Sequence, residues 1–399
     1  MRRAALILVV LVVLSGCSSP ISAPGGPDSV DPRSEGTQGA VTIAVENGSL
    51  PVDHTALYRN VTRMLGVDAE PPTTIFVEPN SEMGIQLEPM DPFFQLVGID
   101  RPASASRTAT ALGVVGTPQA VHLNEQILSD EAQTRLTLAH EYVHVVQMRT
   151  DVPESLRARV PAPRTTDGRL VRNAVLEGAA VSVETRLCKR YGATGTSPAA
   201  EMERSYETTS GARQWLYARY HFGYEYVQSR APFTSIADVY DSPPRTSEEL
   251  VHGLPRGAEP MPPLSVVVPS DEWSVESRDR AGELFVRVAL DTQLSTETAA
   301  NAAAGWGVDT RVELHDDGKR AYVWALRWDD PANASEFRGA FRTYLEERAT
   351  SDGDVWIDDG RAFRTVRVEN ETVVVLLGNE SFVRNASVGG SVDFVRVIA

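Results

Sequence analysis

Two stretches decide how this chain folds: Ala139-His140-Glu141-Tyr142-Val143-His144-Val145-Val146-Gln147 and, further along, Leu176-Glu177-Gly178-Ala179-Ala180. On a helix, His140 and His144 share one face, so two imidazoles can converge on a single Zn2+. Glu141 stands one position round and can reach a water on such a metal as general base. Asp130 with Gln133 three residues later reads as a capping box that opens a helix running to about Met148.

A catalytic zinc takes three protein ligands and keeps a fourth position open. The next histidine after His144 is His221, so the third ligand must come from another element. The run Leu170–Leu187 has helical periodicity, and on it Glu177 and Glu184, seven residues apart, share a face. Antiparallel pairing of the two helices would bring one of these carboxylates over the histidines, with Glu184 available as ligand or as partner to a histidine. Cys188 is nearly eclipsed with Glu177 but about 16 Å further along the axis, too far to share a metal.

The pattern His140-Glu141-x-x-His144-x-x-Gln147 followed by Leu176-Glu177-Gly178-Ala179-Ala180 resembles the gluzincin zinc metallopeptidases. That resemblance implies that Glu177, the residue before the glycine, is the third ligand. It also implies a zincin-like fold and hydrolysis of peptide bonds in a peptide or protein substrate. Gly223-Tyr224-Glu225-Tyr226-Val227 and Thr246-Ser247-Glu248-Glu249-Leu250-Val251-His252 resemble segments of poorly characterised families with the same histidine motif, as do Gly305-Trp306-Gly307-Val308-Asp309 and Trp328-Asp329-Asp330. Peptide hydrolysis needs a donor for the developing oxyanion, and Tyr224, His221 and His252 are the candidates. The competing reading is a non-catalytic surface lipoprotein that binds a ligand or partner on the same scaffold. The intact Glu141 favours the enzyme.

Around these motifs, Val52 to Leu65 reads as a helix, Thr73 to Val77 as a strand, the stretch from Val77 to about Gly116 as loop-rich, and Ala120 to Leu123 as a second short strand. Tyr217 to Tyr226 reads as a further helix. From Glu272 the pattern changes to a helix-like run to Leu290, strands at Thr310–Leu314 and Ala321–Trp328, and a helix near Asn333–Arg348. Strands at Thr365–Val368, Thr372–Leu377 and Val392–Ile398 complete it. The expected fold class is α+β: a helix-rich zincin-like metallopeptidase domain with a small sheet over 41–270, then a smaller α+β accessory domain over 271–399. Fixed-period repeats, Walker loops and dinucleotide-binding glycine fingerprints are missing from the sequence.

The chain begins with Met1, Arg2 and Arg3, an apolar stretch Ala4–Leu14 too short to span a bilayer, and Leu14-Ser15-Gly16-Cys17. This resembles a lipoprotein signal peptide over 1–16, with Cys17 carrying a lipid and the proline-rich segment 17–40 serving as a flexible tether. The expected location is the cell surface, lipid-anchored to the outer face of the membrane. Six Asn-X-Ser/Thr sequons, at Asn47, Asn60, Asn333, Asn370, Asn379 and Asn385, are compatible with that address. Cys188 is the only other cysteine, so no intramolecular disulfide forms once Cys17 is lipidated.

The net charge is −16, which disfavours nucleic acid, because neutralising phosphates takes clustered Lys and Arg. Of 38 basic residues only Lys189 and Lys319 are lysines. That balance resembles proteins of halophilic archaea, where molar salt shortens the Debye length to about 3 Å and dense surface carboxylates keep the protein hydrated.

Overall fold

The computed structural model describes residues 42–87, 89–101, 105–106, 108–191, 196–230 and 235–399. The expected signal peptide (1–16), the lipidated Cys17 and the tether (17–40) lie outside the described residues. No helix among the described residues is long and apolar enough to cross a membrane. The fold class is α+β.

The first sheet takes the order β1-β2-β6-β5, built from β1 (Ala44–Glu46), β2 (Thr74–Glu78), β5 (Gly113–Thr117) and β6 (Ala120–Asn124). Strand β1 pairs with β2 and β2 with β6 in parallel, while β5 lies antiparallel to β6 at the edge. Alternation fixes its faces: Ile75, Val77, Val121 and Leu123 point into the core. Helix α1 (His54–Leu65) is capped by the Asp53 side chain and ends at Gly66, whose φ of 71° suits a residue without Cβ. The stretch before Gly116, expected to be loop, also contains β3 (Gly84–Gln86), α2 (Pro92–Leu96) and β4 (Thr108–Thr110). These elements are three to five residues long, too short for periodicity to show.

Behind the sheet run α3 (Glu131–Arg149), α4 (Val152–Arg159), α5 (Thr166–Arg190), α6 (Pro198–Thr208), α7 (Gly211–Ser229) and α8 (Ser247–Val251). The Asp130 carboxylate caps α3 by accepting from the Ala132 and Gln133 amides. Helices α3 and α5 are buried on nearly all sides, α3 from Thr137 through Gln147 and α5 from Ala174 through Thr185. Helix α5 lies between α3 and α7. Its contact with α7 is made by backbone: a Cβ on Gly178 would stand 2.2 Å from the Gly223 carbonyl, and one on Gly223 would stand 2.1 Å from the Ala174 oxygen.

The second half begins with β7 (Ser265–Val267) and β8 (Ser274–Asp279), followed by α9 (Glu283–Asp291), α10 (Thr296–Ala303), β9 (Trp306–Asp316), β10 (Lys319–Trp328) and α11 (Pro331–Glu346). It is completed by β11 (Thr350–Asp352), β12 (Val355–Asp358), β13 (Arg361–Val368), β14 (Thr372–Gly378), α12 (Glu380–Asn385), β15 (Ser387–Ser391) and β16 (Phe394–Ile398). Seven strands form an antiparallel sheet in the order β11-β12-β13-β14-β10-β9-β8, and β15-β16-β7 form a second sheet of three. The expected helix from Glu272 to Leu290 is corrected to strand then helix. Ser274–Asp279 pairs with β9 as the sheet's edge, and Gly282, at φ 91°, turns the chain into α9.

Strand β10 shows how the large sheet is sandwiched. Tyr322, Trp324, Leu326 and Trp328 face a core shared with α9, α10 and α11, while Ala321, Val323 and Ala325 face the three-stranded sheet and α12. The first of these cores crosses residue 270. Phe93 and Phe94 of α2 pack on Phe285 of α9, and Phe93 also meets Tyr322 and Trp324. Arg311 of β9 is tied to Asp91 at the start of α2 (3.2 Å) and to Asp279 of β8 (3.3 Å).

The helix contact gives a direct test. Gly223→Ala must push α7 off α5 and is expected to lower the free energy of unfolding by about 1–3 kcal/mol or more, read by denaturant titration. Gly339→Ala, in α11 with open space around its Cβ position, should be neutral or slightly stabilising.

Candidate metal centre

Helix α3 runs antiparallel to α5, since His140 faces Glu184 while His144 and Gln147 face Glu177 and Leu176. His140 and His144 lie one turn apart and meet edge to face, with ring centroids 4.8 Å apart. Their Nε2 atoms converge on the same oxygen, Glu177 Oε2, at 3.3 Å and 3.5 Å. The three ligand-capable atoms lie within 4.8 Å of one another, and all three residues are buried.

Each ring is aimed by its other nitrogen. His140 Nδ1 meets Glu184 Oε2 at 3.0 Å, and His144 Nδ1 meets Gln147 Oε1 at 2.8 Å. Because those oxygens accept, both Nδ1 atoms carry a proton, which leaves both Nε2 atoms, aimed at the shared spot, to hold a proton or a metal there. Gln147 is held in turn, its amide donating to the Leu176 carbonyl (2.9 Å) and the Tyr240 hydroxyl (2.8 Å). Glu184 thus occupies the position of a partner to a histidine.

Two imidazole nitrogens and a carboxylate oxygen aimed at one point need a positive centre between them, a shared proton or a metal. His144 Nε2 and both oxygens of Glu141 are buried without a hydrogen bond, the mark of groups shaped for a ligand. Two imidazole nitrogens and one carboxylate oxygen form a donor set that suits a divalent transition ion with an open position. The residues therefore fit the metal expected from the sequence.

Electrostatics agree with this geometry. Burial alone would lift the Glu177 carboxyl, but its hydrogen bond to His140 and the nearby charge of His144 and His140 hold it well below the usual carboxylate range. Burial alone would discharge His140, yet Glu184 and Glu177 hold its pKa well above that of free histidine. Burial pushes the Glu141 carboxyl up to about 7, against the pull of His144 and His140. Glu141 has room only because β5 passes it with a glycine. A Cβ on Gly113 would stand 2.7 Å from Glu141 Oε1.

The three other candidates are placed elsewhere. His221 stacks on Tyr206 of α6 at 5.3 Å, because it is turned about 100° from its neighbour Tyr220. His252 closes α8 with its Nε2 3.2 Å from Glu283 and 3.4 Å from Arg287. Tyr224 is partly buried, with Glu225 and Arg186 as its charged neighbours. The tyrosine brought to the histidines is Tyr220, whose ring lies 6.5 Å from that of His140. Its hydroxyl is buried beside the Arg219 guanidinium and lies in the field of Glu177 and Glu141. Arg219, 5.1 Å from the Tyr220 ring, is the cation that faces Glu177.

A family model described as a domain of unknown function (DUF8575) matches residues 272–386, from just before β8 to the end of α12. The histidine helix and Glu177 lie outside the matched segment. No curated protein and no solved structure matches the chain.

Removing the Glu184 carboxylate should leave His140 free to turn. Glu184→Ala is expected to weaken metal binding by about 10–100-fold, and Glu177→Ala to weaken it further, both measured by titrating stripped protein with Zn2+ against a competing chelator.

Proposed function

We propose that this chain is a zinc metallopeptidase of gluzincin type, anchored at the outer face of the cell membrane by a lipid on Cys17. The observation that carries the proposal is the convergence of His140, His144 and Glu177 on one point, with both oxygens of Glu141 unpaired beside it. Zinc held by that triad would supply a Lewis acid and would make a water acidic near neutral pH.

The remaining steps belong to the chain's own residues. Glu141 takes the proton of the attacking water at its carboxylate and passes it to the leaving amine, a role served by a carboxyl that burial has raised to about 7. Tyr220 replaces the three earlier candidates as the donor to the carbonyl oxygen as charge develops there, since its buried ring stands 6.5 Å from that of His140. The edge strand β5 runs past Glu141, and its outer side offers main-chain groups to an extended peptide.

Two variants separate these roles. Glu141→Gln should retain one zinc per chain and lose about 10²–10⁴-fold in peptide hydrolysis. Tyr220→Phe should keep zinc and KM and lower kcat by about 10²–10³-fold. A zinc-loaded parent protein that cleaves no peptide in a broad substrate screen would overturn the proposal and leave a binding protein on this scaffold.

A further inference from the structure

A second group of acids lies between the two halves. Glu248 of α8, Glu259 in the loop that follows and Asp329 at the end of β10 bring one carboxylate oxygen each within 4.8 Å of one another. Glu248 is only 3% exposed, and its Oε2 is buried with no hydrogen bond among the described residues. A buried, unpaired carboxylate is expensive unless it is protonated or meets a cation.

No salt bridge reaches Glu248 among the described residues. The charged groups that face Glu248 are Glu283, Asp329, Glu259 and Asp167, all acidic. Two of these are already balanced, Glu283 by Arg287 (2.6 Å) and Asp167 by Arg280 (3.0 Å). Neither Glu259 nor Asp329 forms a salt bridge among the described residues, so three acids stand together without a protein cation to balance them.

The cluster is held in place rather than loosely gathered. Arg256 donates to the carbonyls of Pro243 and Arg159, both at 2.7 Å, and the Gly257 amide donates to Glu249 at 2.7 Å, which pins the loop bearing Glu259. The Asp329 amide donates to the Gly305 carbonyl at 2.9 Å. The three residues run from the buried Glu248 through the half-buried Glu259 to the exposed Asp329, leaving one side open to water.

We propose that Glu248, Glu259 and Asp329 form a calcium site that clamps α8 and its following loop to the large C-terminal sheet. Carboxylate oxygens alone suit a hard cation and not zinc. The three oxygens lie within 4.8 Å of one another and so can share one hard cation, and the flexible six- to eightfold sphere of Ca2+ takes ligands from three separate segments, with water on the open side, more readily than the strict octahedron of Mg2+. Asp329 lies within the segment matched by the family of unknown function, and Glu248 and Glu259 lie before it. The ion would therefore join that segment to the part of the chain carrying the histidine helix.

The test uses the full-length protein, zinc-loaded and cleared of calcium with EGTA, then titrated with CaCl2 or MgCl2 at matched ionic strength. The matching removes the general screening that any divalent salt gives a chain of charge −16. The expected result is one saturable Ca2+ per chain by calorimetry and a rise in Tm that Mg2+ does not reproduce. Glu248→Gln and the surface change Asp329→Asn should each weaken Ca2+ binding by about tenfold or more without changing zinc content. Equal effects of Ca2+ and Mg2+, or a Ca2+ titration that neither variant alters, would overturn the proposal. So would a parent with no Ca2+ response while Glu248→Gln is the more stable chain, which would mean that Glu248 is kept as a neutral acid.

Discussion

The contact between the backbones of α5 and α7 at Gly178 and Gly223 sets the rest of the centre. Glu177 precedes Gly178, so it points about 100° away from the face that α7 occupies. Seating α7 against Gly178 therefore fixes the rotation of α5 and turns Glu177 toward α3, where both histidines wait. The same seating acts on α7. With Gly223 at the contact, Tyr220, three residues earlier, reaches the ring of His140. A larger residue at either glycine would separate the helices and shift a ligand and a donor together.

The interior treats its acids in two ways. Asp309 is fully buried, and although burial raises its pKa to about 6, it accepts from the amides of Ala281 and Gly282 and from Trp324 Nε1. Asp167 likewise meets Arg280 and the Ser247 amide. These carboxylates are consumed by structure: they fasten α9 and α8 to the sheet and to the start of α5. Glu141 has no such bonds, and Glu248 leaves an oxygen bare and forms no salt bridge among the described residues, which separates acids that tie the fold together from acids kept for something outside it.

Much of this was readable in the sequence. The positions of His140, Glu141 and His144 follow from helix geometry, and the seven-residue spacing of Glu177 and Glu184 put both on the face that α3 covers. Their different tasks depend on axial position, which spacing does not specify: Glu177 faces both Nε2 atoms and Glu184 only one Nδ1. Tyr220 was not legible, because aromatics at Trp215, Tyr217, Tyr220, Phe222, Tyr224 and Tyr226 surround α7 and mark no single face. Only the glycine contact says which side meets α5. The strand β8 was hidden for a different reason. An edge strand with exposed residues at most positions carries no alternation, and the strong apolar pattern of α9 just after it extends a helical reading backwards.

The insertion of Phe93 and Phe94 beneath α9 bears on how such a chain can evolve. The segment recognised as a family covers 272–386, yet the apolar side of its sheet is completed by two phenylalanines that occur far earlier in sequence. Recombination that grafted this segment onto another protein would transfer Phe285, Tyr322 and Trp324 without their cover and expose a sticky aromatic face. Inheritance of the two halves is consequently tied: the later segment can travel only with a neighbour that brings its own plug, and drift on either side of the junction must be answered on the other.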